Sequence, residues 1–309
     1  MSSHSAGGFT LVDSAIALPQ GAWARAHRRM LSFEGRPLLG LTQGRFRPCL
    51  FPVFSPQGFL VTSESPADHP HHNSLWIAAD HVHAHMPVAN GTETYTYNFY
   101  VDETFQGRAP GRLVETGCTL KPAGPDAATI TQTIDWRGPS EWAAPDGRLV
   151  LYEVRATTVR LGSTHTLIDV TSTLSSRDWE VSLGPTRHAY FNARLSETML
   201  HGLVITDDRG PAAARLPAVA DASWVDATGP VGGGNLAGIA VMPAPLQGAP
   251  PTWFVTDWGV ITAGCVRANG RHLPRGESLV SRCRFVVHDG VLPAAALGAL
   301  HRDFLAEST

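Results

Sequence analysis

The 309-residue chain has no apolar run near the ~20 residues that a helix needs to cross a bilayer. Its Ser/Gly-rich start, Met1 to Thr10, holds no apolar core of signal-peptide length. A cytoplasmic protein with no membrane partner is therefore expected. Cysteine is scarce: Cys49, Cys118, Cys265 and Cys283 are scattered and lack Cys-x-x-Cys spacing. That argues against a disulfide frame or a zinc knuckle and for reduced core or strand residues. Basic blocks are also missing. With 24 Lys+Arg against 27 Asp+Glu the formal net charge is -3, so no nucleic-acid partner is expected. No linker, internal repeat or long low-complexity segment interrupts the chain, which predicts one domain over 1–309. Oligomeric state is left open.

What is present is strand-forming sequence. Short β-branched and aromatic runs recur between Gly, Pro, Asp and Asn, the pattern of an all-β chain. Strands are expected at Phe9–Val12, Pro37–Leu41, Phe59–Thr62, Thr94–Val101, Arg112–Leu120, Ala128–Trp136, Leu200–Thr206, Gly238–Met242, Trp253–Cys265 and Ser278–His288. Leu149–Leu161 and His165–Leu174, joined around Gly162-Ser163, predict an antiparallel hairpin. Pro211–Pro217 and Pro243–Pro251 are expected as loops. Only Pro293–Ala306 has helical composition, with Leu297, Leu300, Phe304 and Leu305 at near-helical spacing, and it is expected to pack on the edge of the sandwich. A composition 43% hydrophobic is enough for a large core. The predicted fold is a large antiparallel β-sandwich with a short C-terminal helix.

Chemistry concentrates in residues 68–85, which hold six of the 14 histidines: His69, His71, His72, His81, His83 and His85. A second phrase, Thr186-Arg187-His188-Ala189-Tyr190-Phe191-Asn192, lies far downstream, and the two are expected to share one pocket. Crowded imidazoles must each place a donor and an acceptor. A metal site, a proton-transfer site and a plain hydrogen-bonded network all remain open, as does a solvated surface cluster. Pro70 makes 68–72 a strand end or a loop. Asp68 can orient a histidine or cap its own turn. Trp76 can stack on a sugar or fill the core. If 81–85 is a strand, its three imidazoles share one face, and His83 and His85 become candidate ligands for a divalent metal. Arg187 offers a donor fork to hydroxyls or a carboxylate, or is simply solvated. His188 is a candidate general acid or base.

Asp68-His69-Pro70-His71-His72 resembles the signature of a bacterial family labelled methane-oxygenase-like (PmoA-like), a family without an established reaction. The likeness extends to Gly238–Ala240, Trp253–Gly259 and Gly276–Gly290. Where that family continues with Arg-Gly, this chain has Asn73-Ser74. A fainter likeness is to aldose 1-epimerases, large galactose-mutarotase-like β-sandwiches whose His-x-Tyr-Phe-Asn phrase matches His188, Tyr190, Phe191 and Asn192. That likeness implies His188 as acid and one of His69, His71 or His72 near a ring oxygen. The family's glutamate base has no counterpart in Trp253–Cys265, where Asp257 is the one carboxylate.

The resulting expectation is a carbohydrate-active enzyme (epimerase, lyase or hydrolase) acting on a small sugar or glycoside. His71, His72 and His188 would be catalytic. Asp68, His69, Asn73, Trp76, Arg187, Tyr190 and Asn192 would bind substrate. No cofactor is certain; a divalent metal held by His83 and His85 is left open. The rival is a non-catalytic carbohydrate-binding sandwich.

Overall fold

The computed structural model describes residues 3–14, 27–213, 216, 222–264 and 266–307. Among them, one nine-stranded antiparallel sheet runs in spatial order β1 (Ser3–Ala6), β2 (Phe9–Ser14), β3 (His27–Phe33), β4 (Arg36–Gln43), β5 (Pro48–Val53), β6 (Leu75–Ala79), β14 (Ala189–Arg194), β20 (Val260–Gly264) and β19 (Thr252–Val255). A second runs β16 (Gly210–Pro211), β15 (Val204–Asp207), β17 (Val225–Gly232), β18 (Asn235–Pro243), β22 (Ser278–Asp289), β12 (His165–Ser175), β11 (Leu149–Leu161), β10 (Ala127–Arg137) and β9 (Arg112–Gly124). A four-stranded sheet orders β21 (Arg271–Leu273), β13 (Glu180–Leu183), β7 (Val82–Val88) and β8 (Gly91–Tyr97). All three contribute apolar residues to one continuous core, among them Leu31 and Ile77, Ile168 and Phe285, and Val82 and Val181. The architecture is all-β and antiparallel, as the strand patterning predicts.

The clean alternation of Thr166, Ile168, Val170, Ser172 and Leu174, buried between half-buried neighbours, shows why β12 is a strand: one face meets the core and the other meets solvent or a helix. β11 and β12 pair in register from Tyr152↔Ser175 to Leu161↔Thr166, the expected hairpin. Helix α2 (Ala294–Ala306) follows Pro293. It lies on the outer face of the second sheet rather than at the sandwich edge, because Leu297 and Phe304 pack with Trp224, Ala240, Met242 and Val286. A second helix, α1 (Glu197–Leu200), takes the start of the expected Leu200–Thr206 strand, which begins only at Val204. Phe59–Thr62 forms isolated bridges, Phe54↔Leu60 and Thr62↔Leu195, instead of a strand. The described part of the expected Trp253–Cys265 strand, residues 253–264, folds back on itself as β19 and β20, with Asp257-Trp258-Gly259 at the tip. Gly259 is there at φ +88, and a Cβ on it would stand 2.5 Å from Leu200. Cys265 and part of the expected 211–217 loop lie outside the described residues. Cys49 and Cys283 are free and buried, and Cys118 is free and half-buried.

Two chain crossings place the site. β6 passes from the first sheet into β7 of the small sheet through the corner Asp80-His81, and β13 passes back into β14 through Gly184 to His188. β6 pairs with β14 and β7 pairs with β13, so the two corners lie side by side, joined by Gly184 N donating to His81 O at 2.8 Å. All five residues of β6 are buried. Leu75, Ile77 and Ala79 face the main core, while Trp76 and Ala78 join Cys49, Tyr100 and Val260 in a small cluster on the other face. The histidines sit over that small cluster.

Candidate functional site

Antiparallel pairing of Ala79 with Ala189 puts the next residue of each strand, Asp80 and His188, against each other. His188 Nδ1 donates to Asp80 Oδ2 at 2.9 Å, since an ionised carboxylate only accepts. Asp80 also takes His81 Nδ1 at 2.7 Å and the Thr186 hydroxyl at 2.5 Å, while Thr186 Oγ1 accepts the His188 backbone N–H at 3.0 Å. Burial acts to raise the Asp80 pKa, but the bonds from His188, His81 and Thr186 outweigh it and hold it at about 2. The Asp80 side chain is 6% exposed and that of His188 is 26%, so the carboxylate is sealed and the ring is reachable. His188 Nε2 accepts from Arg187 Nε at 3.1 Å, and the Arg187 guanidinium lies 4.7 Å from the Phe254 ring centre.

Tyr100 links this corner to the other histidines. Its ring stacks on His188 with centroids 4.8 Å apart, and its hydroxyl is 3.3 Å from His72 Nε2. It lies 5.6 Å from the His71 ring. Residues 66–72 form two successive turns, His69 N to Pro66 O at 3.1 Å and His72 N to His69 O at 2.9 Å, so the segment around Pro70 is a loop. That loop is tied down by Arg47, whose side chain is 1% exposed. Arg47 donates to His71 O (2.9 Å), Asn73 Oδ1 (2.5 Å), Tyr100 O (2.8 Å) and Asp102 Oδ1 (2.5 Å). Ser74 sits at φ +62, a backbone position that favours glycine. Its hydroxyl donates to Leu50 O at 2.5 Å.

His69 stacks on Trp258 at 4.4 Å and on His72 at 4.7 Å. Asp68 accepts from His69 at 2.9 Å and from Arg194 at 2.9 Å. Burial acts to raise the Asp68 pKa, and the His69 and Arg194 bonds hold it down at about 2. Burial, reinforced by Arg47, His69 and His188, lowers His71 to about 4. Burial with His71, His69 and Arg194 lowers His72 to about 2. Both rings are neutral at pH 7. His72 Nδ1 and the Trp76 indole N–H are buried without a partner among the described residues.

His71, His72, His188, Asp68, His69, Asn73 and Arg187 therefore lie in one neighbourhood. Trp76, Tyr190 and Asn192, expected to bind substrate, are buried. Trp76 is buried beneath His72. The Tyr190 hydroxyl bonds Ser172 in the core at 2.7 Å. Asn192 is fully buried and accepts from Thr262 at 2.8 Å. All three side chains are buried, and buried polar atoms must find partners there. His83 Nδ1 meets Thr96 Oγ1 at 2.8 Å, while His85 meets Thr94 Oγ1 and Ser182 Oγ at 3.0 Å each. Among the described residues no three His, Cys, Asp or Glu side chains are placed to hold a metal ion. Asp80, Tyr100, Arg47, Arg194, Trp258 and Phe254 were missed by sequence reasoning. Two carried a signal: Asp80 follows directly on a fully apolar run, and Trp258 stands beside a glycine in a turn.

Solved structures overlap this chain loosely. Slr1438 from Synechocystis sp. PCC 6803 shares 9% identity at a TM-score of 0.35, covering 89% of this chain and 99% of its own. A protein assigned as an aldose 1-epimerase from Escherichia coli K12 shares 10% at 0.34, covering 93% and 98%. One assigned as a mutarotase, YeaD from Salmonella typhimurium, shares 10% at 0.32, covering 88% and 96%. No curated protein matches the chain in sequence. The PmoA-like likeness of residues 68–76 stays a resemblance, because the matching family model carries a different description. That model, a family of unknown function (DUF6807), covers residues 29–302, and the chain belongs to this family.

Proposed function

We propose that this chain is a carbohydrate-active enzyme of the epimerase, lyase or hydrolase class in which His188 moves a proton at a sugar-like substrate. The observation that carries this reading is the Asp80–His188 pair. A sealed carboxylate fixes the Nδ1–H tautomer and leaves Nε2 as the ring's acceptor, on a side chain 26% exposed. His71, neutral at pH 7 and half-buried across the Tyr100 ring, is the companion acid or base. His72 beneath it holds the Tyr100 hydroxyl in place. The half-exposed rings of His69, Phe254 and Trp258 suit the C–H face of a pyranose.

One observation favours the rival, a non-catalytic carbohydrate-binding sandwich: Arg187 already occupies His188 Nε2. The two readings separate by experiment. A panel of aldoses, sugar acids and glycosides is followed by NMR in deuterated water for exchange or bond cleavage, with sugar affinity measured in parallel by calorimetry. The enzyme reading expects His188→Ala to lower turnover ~10²–10⁴-fold with affinity largely kept. Sugar binding without turnover by the unaltered protein would leave the binding module standing and the enzyme reading overturned.

A further inference from the structure

We propose that the substrate carries a carboxylate, that Arg187 binds it, and that this binding uncovers Nε2 of His188. The inference rests on the acid–base reading above and extends it to a substrate class.

Charge pairing in the neighbourhood points this way. Arg47 is paired with Asp102 at 2.5 Å and Arg194 with Asp68 at 2.9 Å. Asp80 is shared between His188, His81 and Thr186. Arg187 is different. Among the described residues it has no carboxylate within ion-pair distance. It is exposed, and its contacts are His188 Nε2 and the Phe254 ring. Among the described residues only its Nε is used in a hydrogen bond. The two Nη groups, the fork that grips a carboxylate through parallel bonds, are left to solvent.

One unpaired guanidinium balances one negative charge. A sugar phosphate, at about −1.5 to −2 near pH 7, would call for a second free cation. The other arginines at the site, Arg47 and Arg194, are buried and already committed. A monoanionic carboxylate therefore fits better than a phosphate.

The same contact couples binding to chemistry. While Arg187 Nε donates to His188 Nε2, that nitrogen cannot take a proton from substrate. A hydroxyl of a neutral sugar has little to offer a guanidinium already bonded to an imidazole. A carboxylate forms the stronger charge-assisted pair and draws the exposed arginine across the Phe254 ring. The acid sugar then frees the base that acts on it.

The test uses the full chain, with sodium D-glucuronate, D-galacturonate and D-mannuronate set against glucose, galactose, mannose and glucose 6-phosphate. Calorimetry gives Kd, and the ¹⁵N shift of His188 Nε2 reports its hydrogen bond. The expected result is binding of at least one uronate about tenfold or more tighter than its parent aldose, with the His188 shift moving on binding. Arg187→Gln should bring uronate affinity down to the aldose level, and Arg187→Lys should restore part of the difference. Equal affinity for every uronate and its aldose, a preference that survives Arg187→Gln, or tighter binding of the phosphate sugar would overturn this inference alone. Binding of no sugar in the panel would overturn the carbohydrate reading and this inference with it.

Discussion

One stretch of sequence supplies two groups of histidines that end in different chemistry. His83 and His85, on β7, meet the hydroxyls of Thr96, Thr94 and Ser182. In the loop before β6, His69 and His72 stack with each other and on Trp258, His71 and His72 meet Tyr100 edge-on, and Tyr100 stacks on His188, whose ring is clamped by Asp80. A hydroxyl both donates and accepts, so it satisfies an imidazole in either tautomer and leaves the ring without a fixed role. A carboxylate only accepts, so it fixes the tautomer and aims one lone pair outward. Histidine count does not separate these rings; a carboxylate holds His69, His81 and His188, while hydroxyls meet His72, His83 and His85.

The largest test of this contrast is Asp80→Asn. The amide can donate to the imidazole and lets the wrong tautomer form, so turnover should drop by ~10²–10⁴-fold, as for loss of other histidine-orienting carboxylates. Thr94→Val and Thr96→Val should leave it within about two- to threefold if hydroxyl partners carry no chemistry. Steady-state kinetics on any accepted sugar checks both.

Arg47→Ala comes next. It leaves Asp102 and the carbonyls of His71 and Tyr100 without their donor, and loss of a buried charge partner costs about 3–5 kcal/mol. Urea unfolding should show it as a lower midpoint.

Acid sensitivity is a third way to sharpen the comparison. His71 and His72 have folded-state pKa values of about 4 and about 2, below the ordinary 6.5. The unfolded chain binds protons that the folded chain refuses, so stability is full above about pH 6.5 and is lost as pH falls toward 2. Urea midpoints measured from pH 7.5 to 4.5 should therefore decline. His72→Gln should flatten that decline, and an unchanged slope would mean that the buried ring is not its source. The smallest effects belong to β7: His83→Ala and His85→Ala should each cost about 0.5–1.5 kcal/mol, the worth of a hydrogen bond, with turnover unaltered.

Much of the fold was legible because β12, β10 and β11 alternate with period two, and period is a local property. The same reasoning failed at Phe59–Thr62, whose apolar, β-branched residues match a strand while the chain there links β5 to β6 of one sheet through isolated bridges to Phe54 and Leu195. It failed again at β6. Five consecutive buried residues have no period when core lies on one face and the Tyr100 cluster on the other. At the candidate site, His188 and the 69–72 loop were legible as crowded titratable groups. Trp76, Tyr190 and Asn192 were expected to bind substrate because their side chains have polar or aromatic chemistry suited to sugars, and only the tertiary structure shows that all three are buried, Trp76 beneath His72 and the Tyr190 hydroxyl in the core.

The sequence by itself determined an all-β chain, a closing helix after Pro293 and a concentration of imidazoles before β6, since strand period, proline placement and composition are written residue by residue. Tertiary structure alone decided that Asp80 would meet His188, 108 positions away. Nothing local links them. They touch because β6 pairs with β14 while β7 pairs with β13, and a shift of one residue in either register would turn one of the two side chains to the opposite face.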